Sequence, residues 1–469
     1  MHLYYNSRSP CSTLKPVALS YSNGKRLAVI GGYNAEAILD DIWSLDLEAL
    51  EWSRVPVDGR SPPPRAFFRG CGGPPPGGDA REDGDAFAYI FGGSDAAGIL
   101  SNELWCFDIK DRAWEKLHTG DLAGGSETMI PCPRSNHAMC RMGNILAVHG
   151  GESSSGEQLN DLWLFNLVTA AWNKACISRT GPGPCPRSSH CMVFAATGGS
   201  SSGSTETTCF GGSLVLFGGL GSDSSVVVEG DIEKDSMPLN DLWVLSPVSS
   251  SLLGSGAGSG AEEGGISRAT DDSEALAAWS LVMLEGVGPS PRSLSALAVR
   301  RLPPHFYSSD EDECDGNDRC DRGQESHGIA ELFIFGGYGL VELPGSTIAG
   351  DCDDVGQDSD EEGDIIMAYI DDLWGLSLKV QEPTEEAIDA NVDADSNTFP
   401  PSDYVVSADG IGWVNEEGMG FTGPSPVEGR NGHTLTCCGN RLVLFGGFVG
   451  DGFDQGVHVA EVPSVTSLE

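Results

Sequence analysis

Six short apolar runs, each closed by a pair of glycines, recur along the chain. They are Leu27–Ile30 before Gly31 and Gly32, Ala88–Phe91 before Gly92 and Gly93, and Leu146–His149 before Gly150 and Gly151. The other three are Leu214–Phe217 before Gly218 and Gly219, Leu332–Phe335 before Gly336 and Gly337, and Leu442–Phe445 before Gly446 and Gly447. Runs this short read as buried strands, and the glycines mark a turn that needs positive φ. An acid–aliphatic–tryptophan element follows five of them, ending at Trp43, Trp105, Trp163, Trp243 and Trp374. In the first three copies that tryptophan lies 11, 12 and 12 residues beyond the second glycine, and another follows 9 residues later, at Trp52, Trp114 and Trp172. In copies four and five the second tryptophan is delayed to Trp279 and Trp413. A fourth element precedes most glycine pairs and ends in an arginine: Arg65, Arg134, Arg187, Arg292 and Arg430, with His137, His190 and His433 three residues after the second, third and fifth.

Four strand-like elements per repeat predict one four-stranded antiparallel sheet each. Such a sheet cannot bury both faces alone, so neighbours must stack in a ring. The ordered set Pro-Arg, apolar-Gly-Gly, Asp-Leu-Trp, Trp resembles the kelch repeat. The resemblance implies an all-β, six-bladed kelch β-propeller of the galactose-oxidase-like type. It covers residues 1–469 as one domain, with blades near 8–60, 61–120, 130–180, 184–286, 288–420 and 427–469. Because every blade solves the same packing problem, the repeated glycines read as turn residues and the tryptophans as packing between blades.

Two blades depart from the pattern. The first has only Arg8 as a poor stand-in for the Pro-Arg element. The sixth lacks both tryptophans, although counting on from Gly447 places a third strand around Val457–Ala460 with His458 in it. Ring closure falls either to the segment Leu3-Tyr4-Tyr5 or to the tail after Pro463. The extra length sits in insertions near 70–85, 196–211, 247–276, 303–330, 338–368 and 379–410, concentrated in blades 4 and 5 and expected to be disordered.

Charge changes this picture locally. The 469 residues carry 27 Lys+Arg against 69 Asp+Glu, a formal net charge of −42. Segments 310–325, 351–364 and 382–395, all in blade 5 loops, hold much of that imbalance. Repulsion from phosphates excludes nonspecific nucleic-acid or anionic-membrane binding, and the cluster is expected to dock a partner with a basic surface. Ser308, Ser309 and Ser359 precede acidic runs suited to an acidophilic kinase. No apolar run is long enough to span a bilayer and no secretory signal opens the chain, so the expected location is cytoplasmic or nuclear.

Candidate chemistry is sparse. Cys132, His137 and Cys140, and Cys185, His190 and Cys191, look like metal ligands but occupy equivalent repeat positions, so both sets read as structural. Asp351, Asp353, Gly356 and Glu362 fit a calcium loop broken by Val355. The Glu-x3-Asp-x3-His iron segment of plant specifier kelch proteins is absent: His458 has Asp454 but then Gly450. No catalytic motif, cofactor or metal is implied. The five arginines around one mouth could together grip a carboxylate or phosphate, the alternative being that each pairs with its own blade. His149 is the single polar residue at its repeat position and joins them as a candidate. The expected function is a noncatalytic protein-interaction scaffold binding through loops of one face. The alternative is an enzyme with its site in the central channel, as in sugar oxidases and epimerases of this architecture.

Overall fold

The computed structural model describes residues 10, 13–34, 36–75, 87–118, 130–175, 177, 182–196, 212–222, 236–246, 277–282, 288–301, 329–342, 365–379, 414–415 and 427–462. All regular elements among them are β-strands, and all the strand ladders are antiparallel. The first sheet pairs β1 (Val17–Tyr21), β2 (Arg26–Tyr33), β3 (Ile38–Asp46) and β4 (Glu51–Val55) in chain order. The second does the same with β5 (Arg69–Gly73), β6 (Phe87–Phe91), β7 (Leu104–Asp108) and β8 (Ala113–His118). In the third, β9 (Arg134–Ser135) pairs with the far end of β11, and β10 (Ala138–Met142), β11 (Ile145–Ser153), β12 (Gln158–Asn166) and β13 (Ala171–Lys174) follow in order. The fourth repeats this with β14 (Arg187–Ser188), β15 (Cys191–Ala196), β16 (Gly212–Gly221), β17 (Met237–Ser246) and β18 (Ala278–Leu281).

The next segment runs β19 (Arg292–Ser293), β20 (Ala296–Arg301), β21 (Ile329–Phe335), β22 (Tyr338–Glu342), β23 (Ile365–Tyr369), β24 (Leu373–Lys379) and β25 (Val414–Asn415). Its fifth sheet is β20-β21-β24-β25, while β19 bridges from β17 to the hairpin β22–β23. The sixth sheet has β26 (Thr434–Cys438), β27 (Arg441–Phe445) and β28 (Val457–Glu461). This is a β-propeller arrangement of small antiparallel sheets. It corrects the expected set of six four-stranded blades: five sheets carry the full four strands, and the last has three among the described residues. Both candidate closing segments, Leu3-Tyr4-Tyr5 and the tail after Pro463, lie outside the described residues, as do Arg8 and Trp413. So do the acidic segments and most of each insertion. The insertion expected at 338–368 is ordered at both ends, where β22 and β23 pair from Tyr338↔Tyr369 to Glu342↔Ile365.

The core is divided between the sheets. Each apolar cluster joins residues of two neighbouring sheets: Ile30 and Ile42 with Ile90 and Phe107, then Phe91 and Tyr89 with Leu146 and Phe165. The series continues through Leu164 with Leu216, Val215 with Leu332, and Phe333 with Leu444, and it returns from Phe445 to Leu27. Sheet-on-sheet burial of this kind is the main stabilising term, because no single sheet has a second apolar layer of its own. The second tryptophan of a sheet packs on the sheet before it. Trp172 lies 5.2 Å from Phe91, Trp52 lies 5.3 Å from Phe445, and Trp279 lies 5.7 Å from His149.

The glycine pairs sit where one sheet receives the next. Gly150 and Gly151 have φ of 61° and 95°. A Cβ on Gly150 would stand 2.8 Å from the Arg187 carbonyl of the following sheet, and one on Gly151 would stand 2.5 Å from the Ser135 carbonyl. Both backbone conformation and space therefore require glycine there.

Candidate binding face

The five arginines do not begin the innermost strands, as the repeat pattern implied. Each lies in a short hook four residues ahead of β5, β10, β15, β20 or β26. Arg134 shows the arrangement. Its Nη1 donates to the Gly150 carbonyl at 3.0 Å and to Asp161 Oδ1 at 2.7 Å. Its Nη2 donates to Asp161 Oδ2 at 3.0 Å and to the Cys132 sulfur at 3.4 Å, and Nε to the Cys132 carbonyl. Asp161 also accepts from Trp163 Nε1 at 2.6 Å. Arg187 repeats every contact with Gly218, Asp241 and Cys185, and Arg292 does so with Gly336, Asp372 and Ser290. A guanidinium has five N–H donors, and in these three all have acceptors. In the second sheet Arg65 pairs with Glu103 at 2.7 Å. Burial works against the Glu103 carboxylate, but bonds from Lys116, Trp105 and Arg65 outweigh it and hold the pKa at about 2. In the sixth sheet Arg430 pairs with Asp454, and His458, 3.3 Å from that carboxylate, takes the place of tryptophan.

These contacts make an Arg–carboxylate–Trp clamp, and they explain two sequence features. Cys132 is exposed and Cys185 half-buried, because each thiol sits beside its arginine as an acceptor. Blade 1 has no arginine at the clamp position: Thr13 stands there, with Oγ1 donating toward the Gly31 carbonyl at 3.4 Å and its own carbonyl accepting from Gly447 N at 3.0 Å. Its signal is the left-handed residue two positions on, which in the series is Lys15, Phe67, Asn136, Ser189, Leu294 and Gly432, all with φ between 52° and 62°.

Those six residues form a collar at the mouth of the channel. Lys15 N donates to the Gly432 carbonyl, Gly432 N to Leu294, Leu294 N to Ser189, Ser189 N to Asn136 and Asn136 N to Phe67, at 2.6 to 3.1 Å. Lys15 reaches across to Asn136 Oδ1 and lies over the Phe67 ring, and Asn136 Nδ2 donates to Glu152 at 3.3 Å. Burial, with Arg69 nearby, pushes the Lys15 ammonium well below its usual range, while Glu152 works the other way. Around the collar runs a second ring, the residue after each glycine pair: Tyr33, Ser94, Glu152, Leu220, Tyr338 and Phe448. Below the collar the channel holds a cavity of about 150 Å³ lined by Arg69 and Cys191 among others. Burial raises the Cys191 pKa, so the thiol stays protonated, and it bonds the Ser295 carbonyl at 3.0 Å.

His149 is fully buried. Its Nδ1 lies 3.0 Å from His190 Nε2, and its own Nε2 has no partner among the described residues. In two other repeats the equivalent position holds a phenylalanine edge-on to the histidine of the next sheet, Phe91 to His137 at 5.4 Å and Phe335 to His433 at 5.3 Å. His433 Nε2 meets the Phe335 carbonyl at 3.1 Å. His149→Phe removes a buried unpartnered nitrogen and restores that arrangement, so it is expected to stabilise the fold by about 1 kcal/mol. A urea midpoint lower than wild type would show that the imidazole pair contributes something the phenylalanine cannot.

Among the described residues, no three His, Cys, Asp or Glu side chains are grouped to hold a metal ion, and no helix is long and apolar enough to cross a membrane. A family model described as the KLHDC2/KLHL20/DRC7 Kelch-repeats domain matches residues 83–302, and a Kelch motif model matches residues 25–56. The chain is a kelch-repeat protein. Kelch domain-containing protein 3 of Rattus norvegicus is 30% identical over 233 residues, 47% of this chain and 51% of the relative. The Homo sapiens protein of that name is 29% identical over the same shares. Acyl-CoA-binding domain-containing protein 4 of Arabidopsis thaliana is 29% identical over 153 residues, 32% of this chain and 20% of the relative. The chain thus spans about half the length of the Kelch domain-containing 3 relatives it matches. In this kelch chain the repeated arginines, acids and tryptophans meet one another in the clamps, while the collar and the ring around it carry a different residue in nearly every repeat.

Proposed function

We propose that this chain is a noncatalytic protein-interaction scaffold, a kelch-repeat β-propeller that binds its partner at the collar face. One observation carries the reading. The clamps use nearly the same residues sheet after sheet, whereas twelve positions in the same register around the mouth hold Lys, Phe, Asn, Ser, Leu, Gly, Tyr and Glu. A scaffold that repeats its supports and varies one rim presents an individual surface there. The acidic segments 310–325, 351–364 and 382–395 add a field that favours a partner with a basic surface, and phosphorylation at Ser308, Ser309 or Ser359 would deepen it. A central-channel enzyme finds less support, because the channel cysteine is held protonated and the motif arginines are engaged in the clamps.

The test is quantitative affinity purification of the full chain beside two variants. Ser94→Arg with Leu220→Arg alters the rim, and Val168→Arg, at an exposed turn on the opposite face, is the control. Partners are expected to fall at least about tenfold with the first and to be unchanged with the second. Retention by the rim variant, or a stoichiometric transition metal in the purified protein, overturns the reading.

A further inference from the structure

Half of the rim is aromatic. Tyr338, Tyr369, Phe448, Phe453, Tyr33 and Phe67 form an unbroken series from the β22–β23 hairpin to the collar. Neighbouring ring centroids lie 5.1, 5.8, 5.3, 6.2 and 6.4 Å apart. All six rings are half-buried. They come from four different sheets, so no one core accounts for the series. The opposite side of the rim has no aromatic residue: it carries Ser94, Asn136, Glu152, Ser189 and Leu220.

At the outer end of the arc lies an open cavity of about 660 Å³, with Met367, Tyr369 and Val449 as its apolar wall and Glu428 and Asp451 as its acids. Both carboxylates are exposed, and neither has an ionic partner among the described residues. Glu428 is held in place through its backbone, since its carbonyl accepts from Arg430 Nε at 3.1 Å. The clamp of the sixth sheet therefore presents the acid that faces outward. Met367 is 39% exposed.

We infer that this arc and cavity take a basic peptide segment in extended conformation, with one lysine or arginine side chain seated in the cavity. This rests on the scaffold reading and specifies its partner. A long cationic side chain fits the site at both ends: its methylenes cover Met367 and Val449, and its head group meets two carboxylates beside the face of Tyr369. Alternate side chains of an extended strand are roughly 6.6 Å apart, close to the spacing of the rings, so every second residue of the peptide meets the next aromatic. A phosphorylated or acidic segment would be repelled by Glu428, Asp451 and the −42 net charge.

The probe is a fluorescein-labelled, N-acetylated, C-amidated peptide alternating arginine and leucine, followed by fluorescence anisotropy on the full chain. Four proteins are compared: wild type, E428Q/D451N, Tyr369→Ala and a deletion of residues 351–364. Affinity is expected to drop about tenfold in E428Q/D451N and about as much in Tyr369→Ala, while the deletion retains most of it. Equal affinity of wild type and E428Q/D451N overturns the inference, as does equal binding of the same peptide with glutamine for arginine. Loss confined to the 351–364 deletion also overturns it, but leaves the scaffold reading standing, since binding would then lie in the acidic loop.

Discussion

Stability is expected to fall steeply as pH drops below about 6.5, well before the carboxylates titrate. His137, His149, His190 and His433 are buried at the junctions between sheets, and burial first, then neighbouring charges such as Arg134, Arg187 and Arg430, holds them neutral. For His149 and His433 the folded pKa is about 3, against 6.5 for the free side chain. A folded-state pKa below the unfolded one means that the unfolded chain binds the proton first. Nothing is lost above pH 6.5; below it, each imidazole costs up to about 1.4 kcal/mol per pH unit until the folded pKa is reached. At pH 5 that is up to about 2 kcal/mol each for His149 and His433, and His137 and His190, whose pKa values are also depressed by burial, add to it in the same direction. Urea midpoints measured from pH 7.5 to 5 check this. A flat profile over that range would sink it, and His149→Phe should make the slope visibly shallower.

The second large effect is at the clamps. Asp241→Ala should cost about 3 to 5 kcal/mol, because Arg187, with 0% of its surface exposed, keeps its charge and loses its counter-ion. The double variant Arg187→Met/Asp241→Leu should recover much of that, since the penalty is the orphaned charge rather than the absence of the pair. Blade 1 is an internal control. There Thr13 replaces the arginine, and Asp41 accepts a 2.7 Å bond from Trp43 Nε1. Asp41→Ala should therefore cost only about 1 kcal/mol. Chemical denaturation of the three variants decides the matter, and equal costs for Asp241→Ala and Asp41→Ala would show that the ion pair is not what stabilises the junction.

The repeat was legible because its residues act locally. Glycine pairs, tryptophans and arginines each meet a steric or hydrogen-bonding demand that recurs, and counting from Gly447 located β28 with no tryptophan to mark it. The hook of the first sheet escaped because it was sought as an arginine, when the constant feature is backbone: a left-handed residue two positions before the inner strand, Lys15 here and Gly432 in the last sheet. The collar has no side-chain signature at all, since backbone N–H and C=O groups make its circle. The aromatic arc was assembled from residues hundreds of positions apart. Its one available signal was the residue after each glycine pair, aromatic at Tyr33, Tyr338 and Phe448. Both ends of the long blade 5 insertion also looked like loop, because Tyr338–Glu342 and Ile365–Tyr369 become strands only through each other.

The two seams of the last sheet have a consequence for synthesis. Arg441 Nη1 reaches back 394 residues to the Leu47 carbonyl, and Phe445 covers Leu27 and Val29 of the first sheet. On its other side Arg300 Nη1 holds the Val462 carbonyl at 2.7 Å. At ribosomal rates of about 5 to 20 residues per second, the first sheet waits roughly 20 to 80 s for its cover. During that interval Leu27, Val29, Leu45 and Leu47 form an open apolar surface on the nascent chain. Sheet one is therefore the surface left open longest during synthesis, and the strands β26–β28 are what close it.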